Sequence, residues 1–141
     1  MKGNSNGSKQ VTLKNLSLQQ RNSFVNGPFG SNLLTSELTE VGVPVVYIRD
    51  IRNGFYKRKS QSCVTTEKAK QLESCKVVGE DILVAKVGDP PGIAAIYPQY
   101  EPDAVVTQDV IRLRLDRSIA MPEFVCYYTQ GHLEQSPIKV L

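Results

Sequence analysis

The sequence is poor in the residue patterns that catalysis or metal binding relies on. Its single histidine, His132, lies near the expected end of a helix, so a serine or cysteine nucleophile would have only that residue as its base. The three cysteines, Cys63, Cys75 and Cys126, are odd in number and form no CxxC pair. That argues against a disulfide framework or a zinc site, and for reduced, buried thiols. Neither a Walker loop nor GxGxxG occurs. No Asp or Glu is followed two positions later by Lys, the step common on the metal-binding strand of nucleases, and the carboxylates are scattered over turns. No apolar run approaches the roughly 18 residues of a membrane span, and no signal-peptide pattern opens the chain. The expectation is a cytoplasmic protein that is not an enzyme and uses no cofactor, metal or membrane. Net charge is only +3, so an anionic partner has to be met by a local patch.

What is present fits one folded domain. With 141 residues, 40% hydrophobic and 22% charged, the chain can bury a core without cross-links. Residues 1–10 (MKGNSNGSKQ) have no apolar side chain after Met1 and read as a disordered lead-in, 11–135 as the domain, and 136–141 as a tail. Short strands are predicted at Val11–Leu13, Ile82–Val87, Ile93–Tyr97, Ala104–Val106 and Val110–Leu115, and Ser23–Val25 runs into a sharp loop. Helices are predicted at Ser36–Val41, stopped by Gly42, and from Thr65 or Thr66, with Ala69 and Leu72 inward. A last helix starts at Pro122, with Phe124, Val125 and Tyr128 inward. The order implies an α+β fold around a curved, mostly antiparallel, mixed sheet with short flanking helices and long loops.

Two stretches concentrate positive charge. Val43 to Lys59 is an apolar run that turns at Asn53-Gly54 and emerges basic, as a hairpin carrying Arg49, Arg52, Lys57, Arg58 and Lys59. In Val110 to Leu115 the alternation sets Ile111, Leu113 and Leu115 on one face and Arg112 and Arg114 on the other. The second pair faces either a partner or a solvated surface with cross-strand ion pairs. Lys86 and the loops Asn26–Asn32, Lys86–Gly92 and Thr107–Asp109 add polar groups at strand ends, where binding residues usually lie. Asp89-Pro90-Pro91-Gly92 resembles the Asp-Pro-Pro-aromatic motif of adenine-N6 DNA methyltransferases, but Gly92 cannot stack on a base, and the segment reads as a rigid turn.

Four segments, in order, resemble a known family. They are Asn26-Gly27-Pro28-Phe29-Gly30-Ser31; Gly42-Val43-Pro44 through Arg49-Asp50-Ile51-Arg52-Asn53-Gly54; Val78-Gly79-Glu80-Asp81-Ile82-Leu83 through Gly88; and Pro122-Glu123-Phe124-Val125-Cys126-Tyr127-Tyr128. They are similar to the GPFGS loop, the G-[IV]-P segment, the gDIL strand and the closing helix of target-recognition domains in type I restriction–modification specificity subunits. The resemblance covers roughly residues 11 to 133 and lacks the family's long spacer helices.

The resemblance implies sequence-specific binding of double-stranded DNA. It also implies a methyltransferase (modification) subunit and a second recognition domain, or a homodimer, as partners. Arg49, Arg52, Lys57, Arg58 and Lys59, with Lys86, Arg112 and Arg114, are the expected phosphate anchors. Asn26, Ser31, Asn32, Asn53 and Gln108 are the expected base readers. The alternative is an orphan protein-interaction module that keeps the fold without binding DNA.

Overall fold

The computed structural model describes residues 13–28, 32–52, 54–88 and 92–129. The predicted lead-in, the tail, His132, Ser31 and Asn53 lie outside them. The first described element is a single helical turn, α1 (Leu13–Leu16); the strand expected at Val11–Leu13 lies mostly outside the described residues, and β1 (Phe24–Asn26) follows. Then come β2 (Val43–Val46), β3 (Ile51–Arg52), β4 (Gly54–Tyr56), β5 (Cys63–Val64), α2 (Thr66–Gln71), β6 (Lys76–Val77) and β7 (Ile82–Ala85). β8 (Ala94–Ile96), β9 (Ala104–Val106), β10 (Val110–Leu113) and α3 (Pro122–Thr129) complete the order.

The fold is α+β, as expected, but its strands divide between two open sheets. One has six strands in the order β1-β10-β7-β8-β4-β3, and the other has four in the order β5-β2-β9-β6. Pairing is mainly antiparallel, with β4–β8 and β2–β9 parallel. The central core lies between the sheets and includes Val46, Leu83, Ala85, Ala95, Val106 and Val110. A second cluster, with Ile82, Val84, Ile111 and Leu113, packs under α3 through Val125 and Cys126. A third sets Val45, Val64 and Val105 against Leu72 beside α2. The layers therefore run helix, six-stranded sheet, four-stranded sheet, helix. Each fully buried Val, Leu or Ile stabilises this stack by about 1.5–3 kcal/mol.

That layering corrects the reading of β10. Ile111 and Leu113 do share a face, but the opposite face meets the second sheet instead of solvent. Arg112 is 1% exposed and donates to the backbone carbonyls of Asn22 and Ser74. Burial above all, and then neighbouring Arg114, hold its guanidinium below its ordinary pKa. Arg114 makes a two-pronged contact with buried Asp81, at 2.9 and 2.8 Å. That hydrogen bonding raises its pKa. Asp81 also accepts from the Val78 N–H, so these charges clip β10 to the turn before β7.

Local signals succeed where partners are local. Thr65 caps α2 by accepting from the Lys68 N–H at 3.0 Å. The expected helix at Ser36–Val41 shrinks to one 3-10 turn, Thr35–Glu37. Thr39 is taken into a β-bridge with Cys63, and the two exchange backbone hydrogen bonds at 2.8 Å. Val41 is 82% exposed. In α3 the expected inward Val125 is buried, but Phe124 is 57% exposed, and Cys126 and Thr129 take the inner face. All three thiols are free and buried, and burial pushes the Cys126 thiol up to about 12.

The chain crosses from the four-stranded to the six-stranded sheet at 47–50 and returns at 57–62. Asp50, 0% exposed, holds both crossings. Its carboxylate accepts from the backbone N–H of Tyr47 at 2.8 Å, Lys59 at 2.8 Å and Ser60 at 3.2 Å. Its carbonyl accepts from the Lys57 N–H. Asp50→Ala is expected to leave these donors unpaired and to cost at least about 3 kcal/mol in urea unfolding, taking about 1–3 kcal/mol per buried donor. A loss below about 0.5 kcal/mol, the range of an ordinary surface substitution, would show that the carboxylate does not hold the crossings.

Candidate nucleic-acid interface

The strand register gathers several loops at one end of the six-stranded sheet. Asn26, the last residue of β1, pairs with Ile111, and Val110 at the start of β10 pairs with Ala85 at the end of β7. Ala94, which opens β8, pairs with Val84. β4 runs parallel to β8, with Gly54 opposite Ala95. Asn26, the 107–109 turn, Lys86, Gly92 and the hairpin turn before Gly54 thus share one end. Parallel β2 and β9 end at the same place, with Val46 beside Val106, which brings Tyr47 to Arg49 next to Thr107 to Asp109.

The strand pairing is that of the predicted hairpin: Ile51 pairs with Tyr56 and Arg52 with Phe55, and Gly54 takes φ 85°. Only glycine, or less readily asparagine, adopts that conformation cheaply. The basic run after it does not stay at the tip. Lys57, Arg58 and Lys59 follow the far end of β4, beyond Tyr56.

A cleft of about 490 Å³ opens beside this end. Leu33, Leu34 and Leu38 form one side, and Tyr47 and Arg49 face Thr107, Gln108 and Asp109. The Arg49 guanidinium lies 4.3 Å from the Tyr47 ring centroid. Such a cation–π contact at an exposed site is worth about 0.5–1 kcal/mol. Lys86 Nζ donates to Asn26 Oδ1 at 3.3 Å, joining a cation to an amide at the adjacent strand ends. Gln108 is exposed, Asp109 half-buried and Arg52 half-buried next to the hairpin turn.

The candidate residues therefore separate. Asn26, Arg49, Arg52, Lys86 and Gln108 come together at one end of the molecule, with Asn32 exposed in the segment leading to Leu33. Lys57 and Lys59 are exposed but stand past the other end of β4. Arg58 turns inward: its Nε donates to Ser60 O at 2.7 Å, and one Nη reaches Ser62 O at 3.3 Å and Cys63 Sγ at 3.4 Å. With Arg112 and Arg114 already bonded internally, these three arginines hold the fold instead of serving as free phosphate anchors.

Three contributors were not singled out from the sequence: Tyr47, Asp109 and Gly27. A Cβ on Gly27 would lie 1.7 Å from Thr107 O and 2.8 Å from Gln108 N. The Gly27 N–H also donates to Val110 O at 3.0 Å, so the Asn26–Pro28 segment seals directly onto the 107–109 turn. Its place in an Asn-Gly-Pro turn signalled a sharp loop, but the contact lies some 80 positions away in sequence, about the separation at which local pattern says nothing.

No protein-family model matches the chain, and no curated protein matches it. A solved structure does share its fold: a chain from a study of complex assembly and conformational transition in a type I restriction–modification system, with a TM-score of 0.62 and 15% sequence identity. The match covers 89% of this chain and 28% of that one. At this identity the likeness is one of fold.

Gly27→Ala is expected to push the two loops apart and lower stability by at least about 2 kcal/mol, as overpacking against backbone does. Urea denaturation measures it. A wild-type midpoint in the variant would show that the seal yields without cost.

Proposed function

We propose that this is a sequence-specific double-stranded DNA-binding domain without catalytic activity, acting as one target-recognition unit of a type I restriction–modification system. The observation that carries the reading is the gathering of Asn26, Arg49, Arg52, Lys86 and Gln108 at one end of a fold shared with a chain of such a system. Guanidinium and ammonium groups there meet phosphates, and the amides of Asn26 and Gln108 read base edges. A DNA methyltransferase subunit, and a second recognition domain or a second copy of the chain, are the proposed protein partners. The rival is a protein-interaction module without DNA binding. It is favoured by the outer side of α3 and the approach to it, where Ile119, Met121, Phe124 and Tyr127 are 56–74% exposed.

Fluorescence anisotropy with a labelled duplex separates the two. Binding at low salt is expected, with log K falling against log salt at about −0.9 per phosphate engaged, or about −3 to −4 for three or four phosphates. No binding at low ionic strength would leave the protein-interaction reading in its place. The double variant Arg52→Ala/Lys86→Ala should weaken binding to all duplexes alike and flatten the slope by about 2, close to one unit per cation removed. It should unfold at the wild-type urea concentration. Unchanged affinity in that variant would put the interface elsewhere on the molecule.

A further inference from the structure

The turn between β9 and β10 carries a side chain that phosphate binding does not explain. Asp109 lines the cleft together with Gln108 and Arg49 and is half-buried. Among the described residues its carboxylate has no hydrogen bond or ion pair. At an end that presents Arg49, Arg52 and Lys86, an unpartnered carboxylate repels the DNA backbone and lowers non-specific attraction. It is also not a loose surface acid, because the backbone beneath it is fixed from several directions.

The Lys86 N–H donates to Asp109 O at 2.9 Å, and the Val110 N–H donates to Thr107 O at 3.1 Å. The Thr107 N–H and hydroxyl both donate to Val46 O at 3.0 Å. Gly27 lies so close against Thr107 O that no side chain fits between the two loops. The turn is thus locked to β1, β2, β7 and β10, and only the side-chain torsions of Asp109 remain free. A rigid mount of this kind is what precise presentation of a polar group requires.

An ionised carboxylate only accepts hydrogen bonds. In the major groove, the N4 amino group of cytosine and the N6 amino group of adenine are donors, whereas guanine O6 and N7 and thymine O4 are acceptors. Gln108, next in the chain, carries both a donor and an acceptor and has no such restriction.

We infer that Asp109 is a specificity-determining residue that selects adenine or cytosine, against guanine or thymine, at one position of the strand it faces. This rests on the DNA-binding reading above. The carboxylate then serves two ends at once: it weakens attachment to arbitrary duplex and rewards one class of base edge.

The test is selection from a randomised duplex library with the full chain, followed by anisotropy on duplexes carrying each base at every enriched position. For the wild type, one position should favour adenine or cytosine by about 5- to 150-fold, the range expected for a well-placed base contact. In Asp109→Ala that preference should collapse, while the preferences at the other positions stay. Asp109→Asn, which gains a donor, should admit guanine or thymine there. Both variants should unfold at the wild-type urea concentration, since the side chain has no partner to lose. If Asp109→Ala keeps the wild-type base profile, or changes affinity for all duplexes equally, the inference is overturned while DNA binding stands. If the wild type binds no duplex at low salt, the DNA-binding reading fails, and the inference falls with it.

Discussion

The arrangement of this protein depends on a carboxylate at the point where the chain changes sheets. β2 belongs to one sheet and the β3–β4 hairpin to the other, so the chain must leave and return within about twenty residues. Asp50 binds the outgoing segment through Tyr47 N–H and the returning one through Lys59 and Ser60 N–H. A buried carboxylate is tolerated when several donors satisfy it, and backbone N–H groups in fixed positions do so without costing side-chain entropy. Arg58 adds to the same junction by donating to Ser60 O and Ser62 O. The hairpin keeps its place beside β8 because both of its ends are tied.

A second consequence concerns where the positive charge goes. A two-sheet stack buries both faces of its central strands, so an arginine in β10 has no route to solvent unless it lies near a strand end. Arg112 is mid-strand and is absorbed between the sheets by Asn22 O and Ser74 O. Arg114, one residue past the end of β10, pairs with Asp81. A buried guanidinium needs such partners, since leaving it unpaired costs several kcal/mol. The cations that remain available are those on turns and at strand ends. The proposed DNA interface is therefore narrower than the count of Lys and Arg implies, and it lies across strand termini instead of along a strand.

How much of this was legible in the sequence depended on the distance between partners. α2 was readable because Thr65, its cap, and Lys68 are three residues apart. The Asn53-Gly54 turn was readable because glycine's positive φ is a local property. The alternation in β10 was also readable, and Ile111 and Leu113 do face the same cluster. What the pattern could not reveal was a second sheet over the other face, because alternation reports sidedness and not what covers each side. The helix expected at 36–41 failed for a related reason: Thr39 bonds to Cys63, far along the chain. Asp109 entered only as the end of the Thr107–Asp109 loop, and what marks it is the lack of a partner among the described residues.

The same distinction bears on what the family-like segments report. Gly27 is pressed onto Thr107, Pro44 and Val46 are buried, Asp50 and Asp81 are hubs of backbone and arginine contacts, and Pro122 is buried at the head of α3. Most of these motif residues build the frame. Of the groups proposed to read bases, Gln108 and Asp109 lie instead on a turn that the frame holds rigid. Exchanging side chains on that turn leaves every buried contact in place, because the turn is fixed through its backbone atoms and through Thr107. Under the proposed function, fold and specificity are thus chemically separable, and a change of recognised base would not require a change of core.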